Sequence, residues 1–236
     1  LNLPLVPGKL EARIAGTIDR SNPWLYNATT GNRPYDDEQK AVRGTLRFLP
    51  SDRLELNLAG SYSERDNPQF RMAFTPVFLP PGTPLTYGDL PDPNRISDPA
   101  GLPGTSRTKL WDASLRGNLD LGTVMLSSVS AMTGMTIANR DLDLDLTALP
   151  ILITANDGKQ RTWSQELRMT SQSTGPLRWL IGGDFLATEK TLFAPVFLDM
   201  TPRIEVGRSA SSDRNRAWSA FGQAGWRTGK LDLSLE

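Results

Sequence analysis

The stretch from Ala41 to Arg65, AVRGTLRFLPSDRLELNLAGSYSER, alternates apolar and polar residues on both sides of a turn of very few residues. Successive side chains of a strand point to opposite faces, so Val42, Gly44, Leu46 and Phe48 share one side and Arg43, Thr45 and Arg47 the other. The second arm repeats this with Leu54, Leu56, Leu58, Gly60 and Tyr62 against Glu55, Asn57, Ala59, Ser61 and Ser63. Between the arms stand turn formers: Pro50 presets φ, and Ser51 and Asp52 bond back to the local backbone. The pattern predicts a β-hairpin with one apolar face.

The same unit recurs along the chain. After Pro7-Gly8, Leu10, Ala12, Ile14, Gly16 and Ile18 alternate with charged and small residues. Lys109–Leu121, Arg161–Thr170, Leu177–Thr188, Arg216–Trp226 and Lys230–Glu236 alternate likewise. In Val124–Ile137 the apolar residues change face, Val124 and Leu126 on one and Val129 and Ala131 on the other, which predicts a β-bulge. About nine strands result, joined by short turns around Pro50, Gly122, Gly175 and Gly229. The other connections are long and begin near Ser21, Asp66, Asn139 and Glu189, with Arg140–Gly158 and Glu189 to about Asp213 read as loops. Short turns thus gather at one end and long loops at the other.

Composition removes whole classes of function. With neither cysteine nor histidine the chain has no disulfide, thiol nucleophile or imidazole base, and lacks the commonest zinc ligands. Its 26 basic residues balance 26 acidic ones, leaving no excess of positive charge for nucleic acid. No pair of carboxylates is brought into an apolar pocket by any motif, so no enzyme is expected, nor any cofactor. Asp141, Asp143 and Asp145 in RDLDLDL have the hard oxygens calcium prefers, but the loop glycine and terminal glutamate of a calcium site are lacking, and the reading is a solvated strand extension without metal. No run of 18 apolar residues forms a membrane helix, Leu1–Pro4 does not read as a signal peptide, and the chain begins and stops in mid-pattern, as a piece of a longer protein would.

The physics of a bilayer explains the pattern. Lipid offers no partners to the backbone, so only helices and closed barrels span it, and a barrel strand needs roughly 9 to 11 tilted residues. Trp218 and Trp226 share a face eight positions apart, about 20 Å of height on a tilted strand, close to the apolar band of an outer-membrane barrel. The polar faces carry opposed charges suited to a wide lumen: Arg43 and Arg47 near Glu55, Asp112 with Arg116 and Asp120, and Glu166 with Arg168. The competing reading is a soluble β-sandwich binding module, which also alternates but turns every 8 to 12 residues at both ends.

VRGTLRFLPSDRLELNLAGSYSERD, SQELRMTSQSTGPLRWLIGGDF and WSAFGQAGWRTGKLDLSLE each resemble strand-turn-strand phrases of the TonB-dependent receptors, the outer-membrane active transporters of Gram-negative bacteria. Asn2–Val6 followed by Lys9-Leu10 is similar to the phrase that introduces an early barrel strand. The resemblance implies an all-β fold in which residues 1–236 are an antiparallel portion of a transmembrane barrel of about 22 strands. It also implies that the plug, the signal sequence and the closing carboxy-terminal strands are absent, with short periplasmic turns and long extracellular loops. The implied partners are outer-membrane lipid, the TonB complex acting through the absent plug, and a scarce nutrient. The foremost nutrient is a ferric siderophore, with a carbohydrate or another small nutrient as the alternative. In the longest loop, Phe70, Arg71, Phe74, Phe78 and Tyr87 are candidates to stack on or pair with such a ligand, or else pack loop on loop.

Overall fold

A computed structural model of the chain describes residues 1–22, 26–27, 31, 33, 37–67, 95–96, 104–144, 151–172, 175–229 and 231–235. Alternating sequence produces one antiparallel sheet of consecutive strands, β1 (Asn2–Val6), β2 (Leu10–Ser21), β4 (Asp37–Ser51), β5 (Leu54–Asn67), β7 (Thr105–Asp120), β8 (Val124–Asp143), β9 (Leu152–Ser171), β10 (Leu177–Leu198), β11 (Ile204–Thr228) and β12 (Leu231–Leu235). Two short strands, β3 (Tyr26–Asn27) and β6 (Arg95–Ile96), pair in parallel outside it. All nine expected strands are present, and Asn2–Val6 adds a tenth to the sheet. Each strand pairs with the next in the sheet, and the described residues do not close it into a ring.

The short turns are where turn chemistry put them. Gly122 has φ of 87°, open to glycine at no steric cost, and its N–H donates to Asp120 Oδ1 at 2.7 Å, an Asx turn. In the organising hairpin, strand β4 runs through Pro50 to Ser51, so the turn proper is Asp52-Arg53, reached through a register shift after Phe48.

Two expectations change. Val124–Ile137 carries no bulge: β7 and β8 pair in unbroken register from Thr105↔Arg140 to Asp120↔Met125. The register holds while polar residues on the apolar face satisfy one another. Ser130 Oγ donates to Gln165 Oε1, and Gln165 Nε2 donates to Ser128 Oγ at 3.0 Å. The irregularity lies higher, between Asn139 and Leu142, where Asp141 takes φ of 51°.

The second change concerns the loops read from Arg140 and Glu189. β8 continues to Asp143, β9 begins at Leu152, and β10 and β11 pair from Glu189↔Arg214 up to Leu198↔Ile204. These strands run 20, 20, 22 and 25 residues, well beyond a spanning length of about 9 to 11.

The sheet has almost no interior. Ile153 is the one hydrophobic side chain buried among the described residues, while Leu58, Leu115, Leu167, Ile181 and Trp218 are exposed, Trp218 to 82%. The surface is 15747 Å², against roughly 10,500 Å² for a compact protein of about this mass. In water such an apolar face would be an aggregation surface rather than a fold.

Candidate functional site

Register assigns each side chain to one of two faces. The polar face crosses the strands in rows such as Glu11, Arg47, Asn57, Arg116, Val129, Glu166, Asp184 and Ser219. Two expected charge pairs form there: Arg47 Nε donates to Glu55 Oε1 at 2.8 Å, and Arg168 Nη2 lies 2.8 Å from Glu166 Oε1. The third does not, because Asp112 and Arg116 are four residues apart on one extended strand. Asp112 instead accepts the Ser61 hydroxyl, and Arg43 and Arg116 have no ion-pair partner among the described residues.

Arg116, Ser127, Ser164, Glu166, Arg168 and Asp184 border a shallow cleft of about 550 Å³ on this face. Its firmest element is a stack. The Arg168 guanidinium sits 5.6 Å from the centroid of Phe221, and Phe221 folds over Gly182, where an added Cβ would lie 2.5 Å from the ring. Arg168 Nε is buried without a hydrogen-bond partner. Among the described residues no cluster of acidic side chains could hold a metal. Phe70, Arg71, Phe74, Phe78 and Tyr87 lie outside the described residues.

The other face is apolar and bounded by aromatics, and the boundary is slanted. Following Trp111 across the registers leads to Gly134, Arg161, Glu189 and Arg214, yet the tryptophan on β11 is Trp218, four residues away after four strand steps. Following Phe48 leads through Leu56, Gly117, Ser128, Leu167 and Gly183 to Ala220, and the lower tryptophan on β11 is Trp226, six residues away after six steps. Both lines therefore descend by one residue per strand and in the same direction. With about 3.3 Å per residue and 4.8 Å between strands, that slope is a tilt of about 35°. Barrel strands tilt by about 35 to 45°. Between the lines, Trp218 to Trp226 spans about 22 Å along the normal at that tilt, matching an apolar band of about 25 Å.

Toward the loop end the same face turns abruptly ionic. Arg20 and Lys40 both pair with Glu38, Arg107 Nε lies 2.6 Å from Asp66 Oδ1 and 3.3 Å from Glu64 Oε1, and Arg140 Nη2 is 2.8 Å from Asp157. Lys40 and Arg20 hold the Glu38 carboxyl below its ordinary value. Beyond it, Arg203 in the β10–β11 turn links Asp199 and Asp141, both at 2.8 Å, and Asp199 raises its pKa. Expecting charge on the polar face alone missed this collar. A signal for it was present: Lys109-Leu-Trp111, Arg161-Thr-Trp163 and Arg216-Ala-Trp218 place a cation two residues before a tryptophan on three strands that run the same way.

No family model matches the sequence, and no curated protein matches it. Solved structures do resemble it. The ferric yersiniabactin uptake receptor of Yersinia pestis superposes with a TM-score of 0.63 at 14% identity over 97% of this chain and 42% of that one. The copper transporter OprC gives 0.62 at 14% over 94% and 30%. The ferripyoverdine receptor of the Pseudomonas aeruginosa outer membrane gives 0.64 at 10% over 99% and 33%. At such identities the likeness is one of fold: this sheet has the strand architecture of TonB-dependent receptor barrels. The chain spans less than half the length of these proteins.

Proposed function

We propose that the chain is part of the barrel wall of an outer-membrane importer of the TonB-dependent kind, and that its cargo is a ferric siderophore. The observation that carries the membrane reading is the slanted apolar band, since a soluble sandwich has no reason to keep two aromatic lines parallel at a barrel's tilt. The apolar face then meets lipid and the polar face the lumen. Short turns such as Asp52-Arg53 and Gly122-Thr123 become periplasmic, and the loop end becomes extracellular. On this reading the wall is no enzyme: Arg47–Glu55 and Glu166–Arg168 hold the lumen's shape and field.

The siderophore rests on narrower support. Two of the three structures above carry ferric chelates in their names, and the polar face offers an anionic chelate Arg43 and Arg116, which have no ion-pair partner among the described residues. Uptake of labelled ferric chelates by cells making the full-length protein tests it. The expected result is accumulation that needs TonB and the proton gradient, with expression induced by iron starvation. Induction by a sugar, with indifference to iron, would move the cargo to a carbohydrate, and uptake without TonB would make the protein a passive pore.

A further inference from the structure

The loop-end border of the apolar face is not uniform. On β4, β5 and β7 every cation named in the collar has a carboxylate partner: Lys40 with Glu38, Arg107 with Glu64 and Asp66, and Lys109 with Glu64 at 3.8 Å. On β9 and β11 the balance fails. Lys159, Arg161 and Arg216 have no ion-pair partner among the described residues, and the carboxylates beside them on this face are already taken, Asp157 by Arg140 at 2.8 Å and Glu189 by Arg214 at 3.4 Å.

Arg161 and Arg216, with the Arg214–Glu189 pair between them, rim a cleft of about 300 Å³ whose floor is Trp111, Met132 and Trp163. The floor is shaped rather than accidental. The Trp111 indole lies against Gly134, where any Cβ would collide with it, so this glycine seats the ring beside Arg161, its register partner on β9. Trp163 packs on Phe185 with centroids 5.1 Å apart, and Phe185 on Trp218 at 5.5 Å, continuing the apolar floor under Arg216. Indoles favour the depth where acyl chains give way to headgroups, and guanidinium forks bind phosphate in two-pronged fashion.

We propose that this cleft is a binding site for a phosphorylated lipid of the outer leaflet, its acyl chains lying over Met132, Trp163 and Trp218 and its phosphate held by Arg161 and Arg216. The site rests on the membrane reading above. Charge complementarity selects the occupant: a zwitterionic headgroup would bring its own cation against three arginines, whereas a lipid phosphate supplies the anion that Glu189 alone cannot. Anionic lipid also fits the leaflet, because the cations stand at the end of the long connections.

Native mass spectrometry of the full-length protein in mild detergent, titrated with lipid A or with phosphatidylcholine, tests this. The native protein should retain lipid A in preference to phosphatidylcholine. Arg161→Gln and Arg216→Gln should each weaken that retention roughly tenfold, as loss of a charge-assisted bond does. Arg161→Lys with Arg216→Lys should keep most of it, and Arg107→Gln in the paired sector should leave it unchanged. Equal retention of the two lipids, or an Arg161→Gln/Arg216→Gln protein that binds as the native one does, would overturn the site while leaving the barrel standing. Partition of the full-length protein into the aqueous phase would overturn both.

Discussion

The sheet has two sectors that share one apolar band and differ above it. β2, β4, β5 and β7 are 12 to 16 residues long and end in an ion-paired collar. β8 to β11 are 20 to 25 residues long, stand above the collar as two hairpins, and leave three cations without an ion-pair partner among the described residues. Within the band the sectors are alike, as the proposed barrel wall requires, because backbone pairing and an apolar outward face are demanded of every strand that spans lipid. Above the band water relaxes that demand, and each sector is free to carry something else. On the proposed reading the common part therefore answers to the membrane and the differing part to this protein.

The largest effect should come from breaking the band in either sector. Arginine in place of Leu56, Leu115 or Leu167 should each cost about 2 to 4 kcal/mol in unfolding of the full-length protein from bilayers, while arginine at Ser114 or Ser164 on the polar face should be mild. Equal costs on the two faces would remove the basis for treating the sectors as one wall.

Next come the glycines on which aromatics rest, one for each face. Gly134→Ala should force the Trp111 indole off β8, and Gly182→Ala should force Phe221 away from its place beneath Arg168, each at about 1 to 3 kcal/mol by overpacking. Denaturant midpoints check both. Gly134→Ala should in addition lower lipid A retention, which Gly182→Ala should not.

These particulars show what was legible beforehand. Alternation between Val42 and Tyr62 announced strands because one face had to be apolar. Above the band that contrast disappears: Glu189-Lys190-Thr191 and Ser209-Ala210-Ser211-Ser212-Asp213 are polar or small on both faces, so these segments read as loops although the backbone ladder continues through them. The apparent bulge in β8 was a polar cluster, Ser128, Ser130 and Gln165, visible only once two strands were side by side. Trp218 and Trp226 suggested the height of the band, but its slope needed the registers of six strand pairs. The polar-face pair Glu166–Arg168 was readable from neighbouring positions on one strand; the Arg168–Phe221 stack, 53 positions apart in sequence, was not.

The smallest effects belong to the collar. Arg107→Gln should cost under about 1 kcal/mol, as exposed ion pairs do, and raised salt should erase the difference. Acid should act on the same groups. Glu38, lowered by Lys40 and Arg20, and Glu205, lowered by Arg208, contribute stability that is complete at neutral pH and is lost as pH falls through their depressed values. Hydrogen exchange should then quicken at the loop ends of β4 and β11 as the pH falls below the ordinary glutamate range, and stay slow within the band.

The most direct test of the proposed membrane wall uses the absence of cysteine from these 236 residues. Single cysteines placed in turn from Ser219 to Ala224 on β11 of the full-length protein, spin-labelled in bilayers, report contact with lipid-dissolved oxygen. The account predicts a period of two, with Ala220, Gly222 and Ala224 in lipid and Ser219, Phe221 and Gln223 shielded from it. Equal oxygen contact at both sets, or water around both, would contradict it.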